Sequence, residues 1–290
     1  MSSNTLILNS QNIIGFNNNT FQYRFKNNGF TIPTGSEISV SSIQIPYSWY
    51  NVSSFYQNQN FRIIWPVTDL SSYNFYNIKL DEGFYTVNDI QNFIEQKCIE
   101  NSLYLIDTNG DYVYFINLNY NLSAYKIQLI VNPVPIATPA GYTKPTLFPA
   151  YPTNVGGRTP RFEVKDDLFG RLIGFNVGVY PASGNVTSYD RLSDYTPLGS
   201  NVNSLIVRCN VISNDVSMPS DILDSFGIPT GSNFGSNIVY EPSFQKWVTI
   251  REGTYSSMNI TIQDQSFNDI KILDPNSIIT LIVKYPRKII

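Results

Sequence analysis

The stretch Glu37–Tyr50, EISVSSIQIPYSWY, constrains the fold more than any other part of the chain. Ile38 and Val40 share one face of an extended backbone, with Ser39 and Ser41 on the other. The apolar phase then slips by one, so that Ile43, Ile45 and Tyr47 take the odd positions. Side chains alternate strictly along a strand, and a slip of phase needs one extra residue. Ser41-Ser42 is therefore read as a β-bulge in a long, half-buried strand. Pro46 has no amide donor, so the ladder should end there.

Similar alternation recurs along the chain. Thr5–Leu8 reads as an edge strand or ordered arm, and Phe21, Tyr23 and Phe25 alternate with Gln22, Arg24 and Lys26. Further strands are expected at Phe61–Trp65, Asn74–Leu80, Tyr125–Val131, Leu205–Ile212, Lys246–Ile250, Met258–Ile262, Ile270–Leu273 and Ile278–Tyr285. Leu103–Ile106 and Tyr112–Ile116 flank Asp107-Thr108-Asn109-Gly110-Asp111, a hairpin signal. That turn also resembles the start of a calcium loop, but it lacks the downstream glutamate and the flanking helices. One helix is expected, capped by Thr86 with Asp89 three residues on. Val87, Ile90, Phe93, Ile94 and Cys98 form its apolar stripe, which should lie over a sheet edge or end. Leu168–Val179, with three glycines, reads as a loop packed on the core.

Two segments break the pattern. Pro133–Pro160 holds seven prolines and can be neither helix nor central strand. Ser213–Tyr240 is rich in Ser, Gly, Pro and Asp and reads as mostly loop. The count of about eight to eleven strands with long connections favours a jelly roll over an up-and-down barrel. The expected architecture is all-β: a single jelly-roll β-sandwich over residues 1–290, with one short helix and long loop or insertion segments at 133–165 and 213–240.

The chain has no histidine among its 290 residues. The usual general base, the Ser-His pair and the commonest metal ligand are thereby absent. Carboxylates alone can hydrolyse glycosides when two face each other at a set separation. The candidates are Asp166-Asp167, Asp81-Glu82 and Asp221 with Asp224. Neighbouring carboxylates on a strand point to opposite faces, so no enzymatic activity, catalytic residue, cofactor or metal site is expected. Tyr47-Ser48-Trp49-Tyr50 would suit a sugar-stacking platform, but also a core or a subunit contact. Cys98 and Cys209 are expected as buried thiols in a reducing compartment. The sequons at Asn18, Asn51, Asn121, Asn185 and Asn259 are expected by chance in a chain with 33 Asn.

Charged residues make up 14% of the chain, against about 25% in ordinary soluble domains. A surface so poor in charge suits stable subunit contacts. The net charge of −3 gives no footprint for nucleic acid, and Lys284, Arg287 and Lys288 read as a solvated end. Neither a signal peptide nor a membrane span is expected.

In order along the chain, several segments resemble the minor capsid, or penton, proteins of virophages and Polinton-type viruses. SEISVSSIQIPYSWYNVSS is similar to that family's strand followed by "YPHSW", and LDEGFYTVNDIQNFIEQKC to its "LPEGYYT" motif and helix. Leu172, Ile173, Gly174 and Phe175 resemble a short "lGF" element. NSLIVRCNVISND and MNITIQDQSFNDIKILDPNSIITLIVKY resemble its late strands. The family's histidine is replaced by Ser48 or Tyr47, and 133–160 has no counterpart. The resemblance implies a structural virion protein. Homopentamers would close the five-fold vertices of an icosahedral capsid, beside a double-jelly-roll major capsid protein, after assembly in the host cytoplasm. The alternative is a jelly-roll module that binds carbohydrate or a receptor, such as a host-surface glycan.

Overall fold

The computed structural model describes residues 2–26, 29–68, 72–153 and 155–286. Its contacts divide into two compact units: residues 1–49 with 202–290, and residues 50–201. The chain begins with β1 (Ser2–Leu8), β2 (Ile13–Ile14), β3 (Thr20–Arg24), β4 (Phe30–Ile32) and β5 (Glu37–Pro46). The second unit follows, with β6 (Asn60–Pro66), β7 (Tyr73–Lys79), α1 (Val87–Glu100), β8 (Tyr104–Ile106) and β9 (Tyr112–Tyr114). It continues through β10 (Ile116–Asn121), β11 (Lys126–Val131), β12 (Arg161–Val164), α2 (Asp167–Ile173), β13 (Gly178–Tyr180) and β14 (Tyr189–Leu192). The first unit resumes with β15 (Ser204–Cys209), β16 (Ile222–Gly227), β17 (Asn237–Tyr240), β18 (Val248–Thr249), β19 (Gly253–Tyr255), β20 (Ser257–Asp264) and β21 (Ile278–Tyr285).

The first unit is a jelly roll. One sheet runs β1-β21-β5-β17, with β18 also on β5; the other runs β16-β15-β20-β3-β2. Every pairing is antiparallel and the pairs are nested: β15 with β16, β5 with β17, β3 with β20, β1 with β21. This is the order produced when one long antiparallel ribbon is rolled into two facing sheets. Ile43, Ile45 and Leu281 from one sheet and Phe21, Val207 and Ile262 from the other are buried. Each such side chain stabilises the sandwich by about 1.5–3 kcal/mol.

The bulge lies where the apolar phase slips. Leu281 pairs with Val40 and Thr280 with Ser42, leaving Ser41 as the extra residue. β5 ends at Pro46, and β1 is the edge strand next to β21. Arg287 and Lys288 lie outside the described residues.

The second unit has its own core. A sheet β13-β12-β6-β7, a sheet β10-β11-β14 and the β8–β9 hairpin enclose Phe61, Ile63, Trp65, Leu129 and Phe162, all buried. Thr86 and Asp89 form the expected capping box, and Ile90, Ile94 and Cys98 are the buried stripe of α1. The helix lies against edge strand β10, where Gln91 Oε1 accepts the Leu118 N–H at 2.7 Å. An otherwise open sheet edge is satisfied in this way.

Three expectations are corrected. Leu168–Val179 is packed on the core, but it holds most of a helix, α2, and the start of β13, so there are two α-helices rather than one among the described residues. A seven-residue helix spans too few turns to show a periodic stripe, and Gly170 within it masks it further. Gly170 admits Phe175 O to 2.4 Å of where a Cβ would sit, so glycine is there for close approach. Ser213–Tyr240 is mostly irregular, but it also contains β16 and β17, two short jelly-roll strands hidden by the Ser-, Gly-, Pro- and Asp-rich sequence around them. Ile270–Leu273 is no strand; Ile270 and Ile272 are buried from an irregular backbone, with the Ile272 N–H on Asn17 O.

The stretch 133–160 is an anchored connection. Val134 and Arg158 exchange two backbone hydrogen bonds, as do Ile106 and Thr143. Phe148 is buried edge-on to Trp65 at 6.0 Å.

Candidate assembly surface

Two of the motif segments meet in the second unit, where they form a clasp. Asn51 is 1% exposed; its Oδ1 accepts the Tyr85 N–H at 2.8 Å. Its Nδ2 donates to Tyr85 O at 2.8 Å and to Gly199 O at 3.0 Å. Val52 and Gly83 exchange two backbone bonds, and Ser54 donates to Glu82 through both its amide and its hydroxyl. In the first unit, the Ser48 hydroxyl accepts the N–H groups of Leu273 and Asp274 at 3.1 and 3.0 Å. It ties the exit of β5 to the segment preceding β21. The motifs thus fasten the backbone. The "lGF" match does likewise: Gly174, at φ +79°, ends α2 where a Cβ would stand 2.4 Å from Tyr195 O.

The aromatic run is core rather than platform. Tyr47 and Trp49 are buried, with ring centroids 4.5 Å apart. Four of the six carboxylate candidates have structural partners, and Oδ2 of Asp166 is buried without one. Arg208 grips Asp221 through Nε and Nη2, and Arg171 pairs with Asp167 within α2. Glu82 belongs to the clasp, and Asp224 to the closure described below. Burial pushes the thiols of Cys98 and Cys209 up to about 12. Among the described residues no group of three or more Cys, Asp or Glu could hold a metal, and no helix is long and apolar enough to cross a membrane.

The jelly roll has two unlike flanks. At one, β16 and β17 are fastened across the sheets. The rings of Phe226 and Tyr240 stack at 4.2 Å, and Asp224, 5% exposed, accepts from Tyr240 Oη at 2.9 Å and Lys246 Nζ at 2.6 Å. The hydrogen bond to Asp224 raises the Lys246 amine above its ordinary range. Beyond this closure the connection to β18 carries Phe244, 70% exposed.

At the other flank, between edge strand β1 and β3, the sandwich is open. A cavity of about 330 Å³ is lined by Leu6, Tyr23, Phe25, Phe30, Met258 and Tyr285, with Asn4 and Thr5 exposed at its mouth. Phe25 stacks on Phe30 at 5.5 Å, and Phe30 meets Tyr285 edge-on at 5.9 Å. Burial pushes the Tyr285 phenol up. Phe30 and Phe244 lie outside every expected strand, and Met258 is expected only as the start of one. Only Phe244, a lone aromatic among Pro, Ser and Gln, carried a legible signal.

No family model and no curated protein sequence matches the chain. Solved structures do resemble it. The mavirus penton protein aligns over 98% of this chain and 99% of its own, at 11% identity and a TM-score of 0.45. A chain of the Sputnik virophage aligns over 97% of both, at 13% identity and a TM-score of 0.38.

Proposed function

We propose that the chain is a structural virion protein, a minor capsid or penton subunit whose homopentamers close the five-fold vertices of an icosahedral capsid. The observation that carries the proposal is the nested strand order of the first unit, four strand pairs folded into a two-sheet roll of the kind found in capsid proteins. The ordered motif resemblance and a surface with few charges support the same reading. Both units act as one subunit, the second extending the connection between β5 and β15. The protein catalyses nothing; it is assembled in the host cytoplasm and contacts a double-jelly-roll major capsid protein. Native mass spectrometry of the purified chain tests this, with five copies expected. A strict monomer that never enters particles would overturn it.

Lectin domains share the roll, and one observation favours a glycan contact as a second reading. Tyr112, 47% exposed, lies 4.5 Å from Tyr104 beside the Asp107–Asp111 turn, an aromatic face with polar neighbours. A glycan array on which Tyr112→Ala abolishes binding would support it; an array blank at high protein concentration would remove it.

A further inference from the structure

The exposed Phe244 and the open cavity occupy opposite flanks of one sheet, in the order β1-β21-β5-β17. They also stand at the same height. Asn4 pairs with Val283 and Leu6 with Leu281, which in turn pair with Ile38 and Val40 of β5. On the far side of β5, Tyr240 pairs with Ile43 and Val248 with Ile38. The connection bearing Phe244 therefore spans the level of Ile38–Ile43, and the cavity mouth at Asn4–Leu6 the level of Ile38–Val40. A projection and a recess at equal height on opposite flanks are what a head-to-tail ring needs, because each copy meets the next through unlike surfaces.

Size and charge agree. A cavity of about 150 Å³ accepts a benzene ring, and this one measures about 330 Å³. Arg24 and Lys26 alternate with the cavity residues Tyr23 and Phe25 and are exposed. Glu241, three residues before Phe244, is also exposed. None of these three charges has an ion pair among the described residues. The cations stand on the outward face of the segment whose inward face lines the recess, and the anion precedes the projection in the same connection.

We propose that the occupant of the cavity is a second copy of this chain. Phe244 of one subunit enters the recess between β1 and β3 of the next, and Glu241 meets Arg24 or Lys26 at its rim. The inference rests on the assembly reading above and names its contact. Repeated around the ring, the contact uses up every flank, so the assembly closes without an open end.

Three variants of the full chain test it, read by sedimentation at graded concentrations with circular dichroism as the check on folding. Phe244→Asp removes the apolar insertion and adds an anion to the recess, and should weaken self-association roughly 10- to 100-fold. Glu241→Lys should weaken it, and adding Arg24→Glu should restore it. Thr5→Cys with Phe244→Cys should give disulfide-linked chains under mild oxidation. Within one copy these positions are separated by three strand spacings of about 4.8 Å each, too far for a bridge; Cys98 and Cys209 are buried. Should Phe244→Asp fail to fold, the charge pair and the cysteine pair, all at exposed positions, decide. An oligomeric wild type with all three variants unaffected would overturn this contact and leave the assembly reading standing. A wild type monomeric at every concentration would overturn both.

Discussion

Replacing Asn51 with alanine tests whether the motif segments fasten the backbone of the second unit. The side chain is 1% exposed and makes three hydrogen bonds of 2.8, 2.8 and 3.0 Å. A net value of about 0.5–1.5 kcal/mol per bond gives roughly 1.5–4.5 kcal/mol for the set. Truncation leaves the Tyr85 N–H and two carbonyls unsatisfied, which moves the expectation to about 3–4 kcal/mol. For a unit of this size that corresponds to a fall in Tm of roughly 6–16 °C. Differential scanning calorimetry should find the loss in the transition of the second unit. Asn51→Asp sharpens the test. A carboxylate there faces two carbonyl oxygens with no proton to donate, so its pKa is raised in the fold. Its destabilisation should therefore exceed that of alanine at pH 7 and shrink as pH falls toward about 4, where the protonated group donates again. A loss below about 0.5 kcal/mol for Asn51→Ala would refute the clasp.

Gly174→Ala should destabilise by at least about 2 kcal/mol in urea titration, because a Cβ at φ +79° meets Tyr195 O at 2.4 Å; a neutral result would contradict the close approach. Cys98 and Cys209, buried and pushed up to about 12, should resist a thiol-specific reagent at pH 8 until the protein unfolds. One fast-labelling thiol would refute that burial. The amine of Lys246 is raised above 10.5 by Asp224, so its contribution is fully present below that value and lost as pH rises through the higher folded value. The phenol of Tyr240, raised above 10.0 chiefly by burial, acts in the same window. Wild type should accordingly lose stability above pH 10 more steeply than Lys246→Met combined with Tyr240→Phe. Parallel pH profiles would show that the closure contributes nothing.

Where a strand buries one face against one partner sheet, period-2 alternation revealed it. Phe21, Leu205–Cys209 and Ile278–Tyr285 were legible for that reason, and the phase slip placed a bulge at Ser41-Ser42, of which Ser41 is the extra residue. β16 and β17 escaped because each is short and set in sequence rich in Ser, Gly, Pro and Asp. Their stability comes from Phe226 stacked on Tyr240 and from Asp224 with Lys246, pairings between residues distant in sequence. Ile270 and Ile272 show the converse, since alternation also arises where an irregular backbone drops two side chains into a core. The open flank was illegible for a similar reason. Leu6, Phe30 and Met258 come from three separated segments, and only the nested pairing of β1 with β21 and β3 with β20 brings them to one mouth.

In the proposed assembly this roll tiles a capsid vertex through unlike flanks. An electron cryomicroscopy map of purified particles, refined around the five-fold axis, tests it most directly. Five copies of the chain are expected there, each with β17 turned toward the β1 edge of its neighbour. Density at the vertex that fits another protein, or particles that lack this chain altogether, would contradict it.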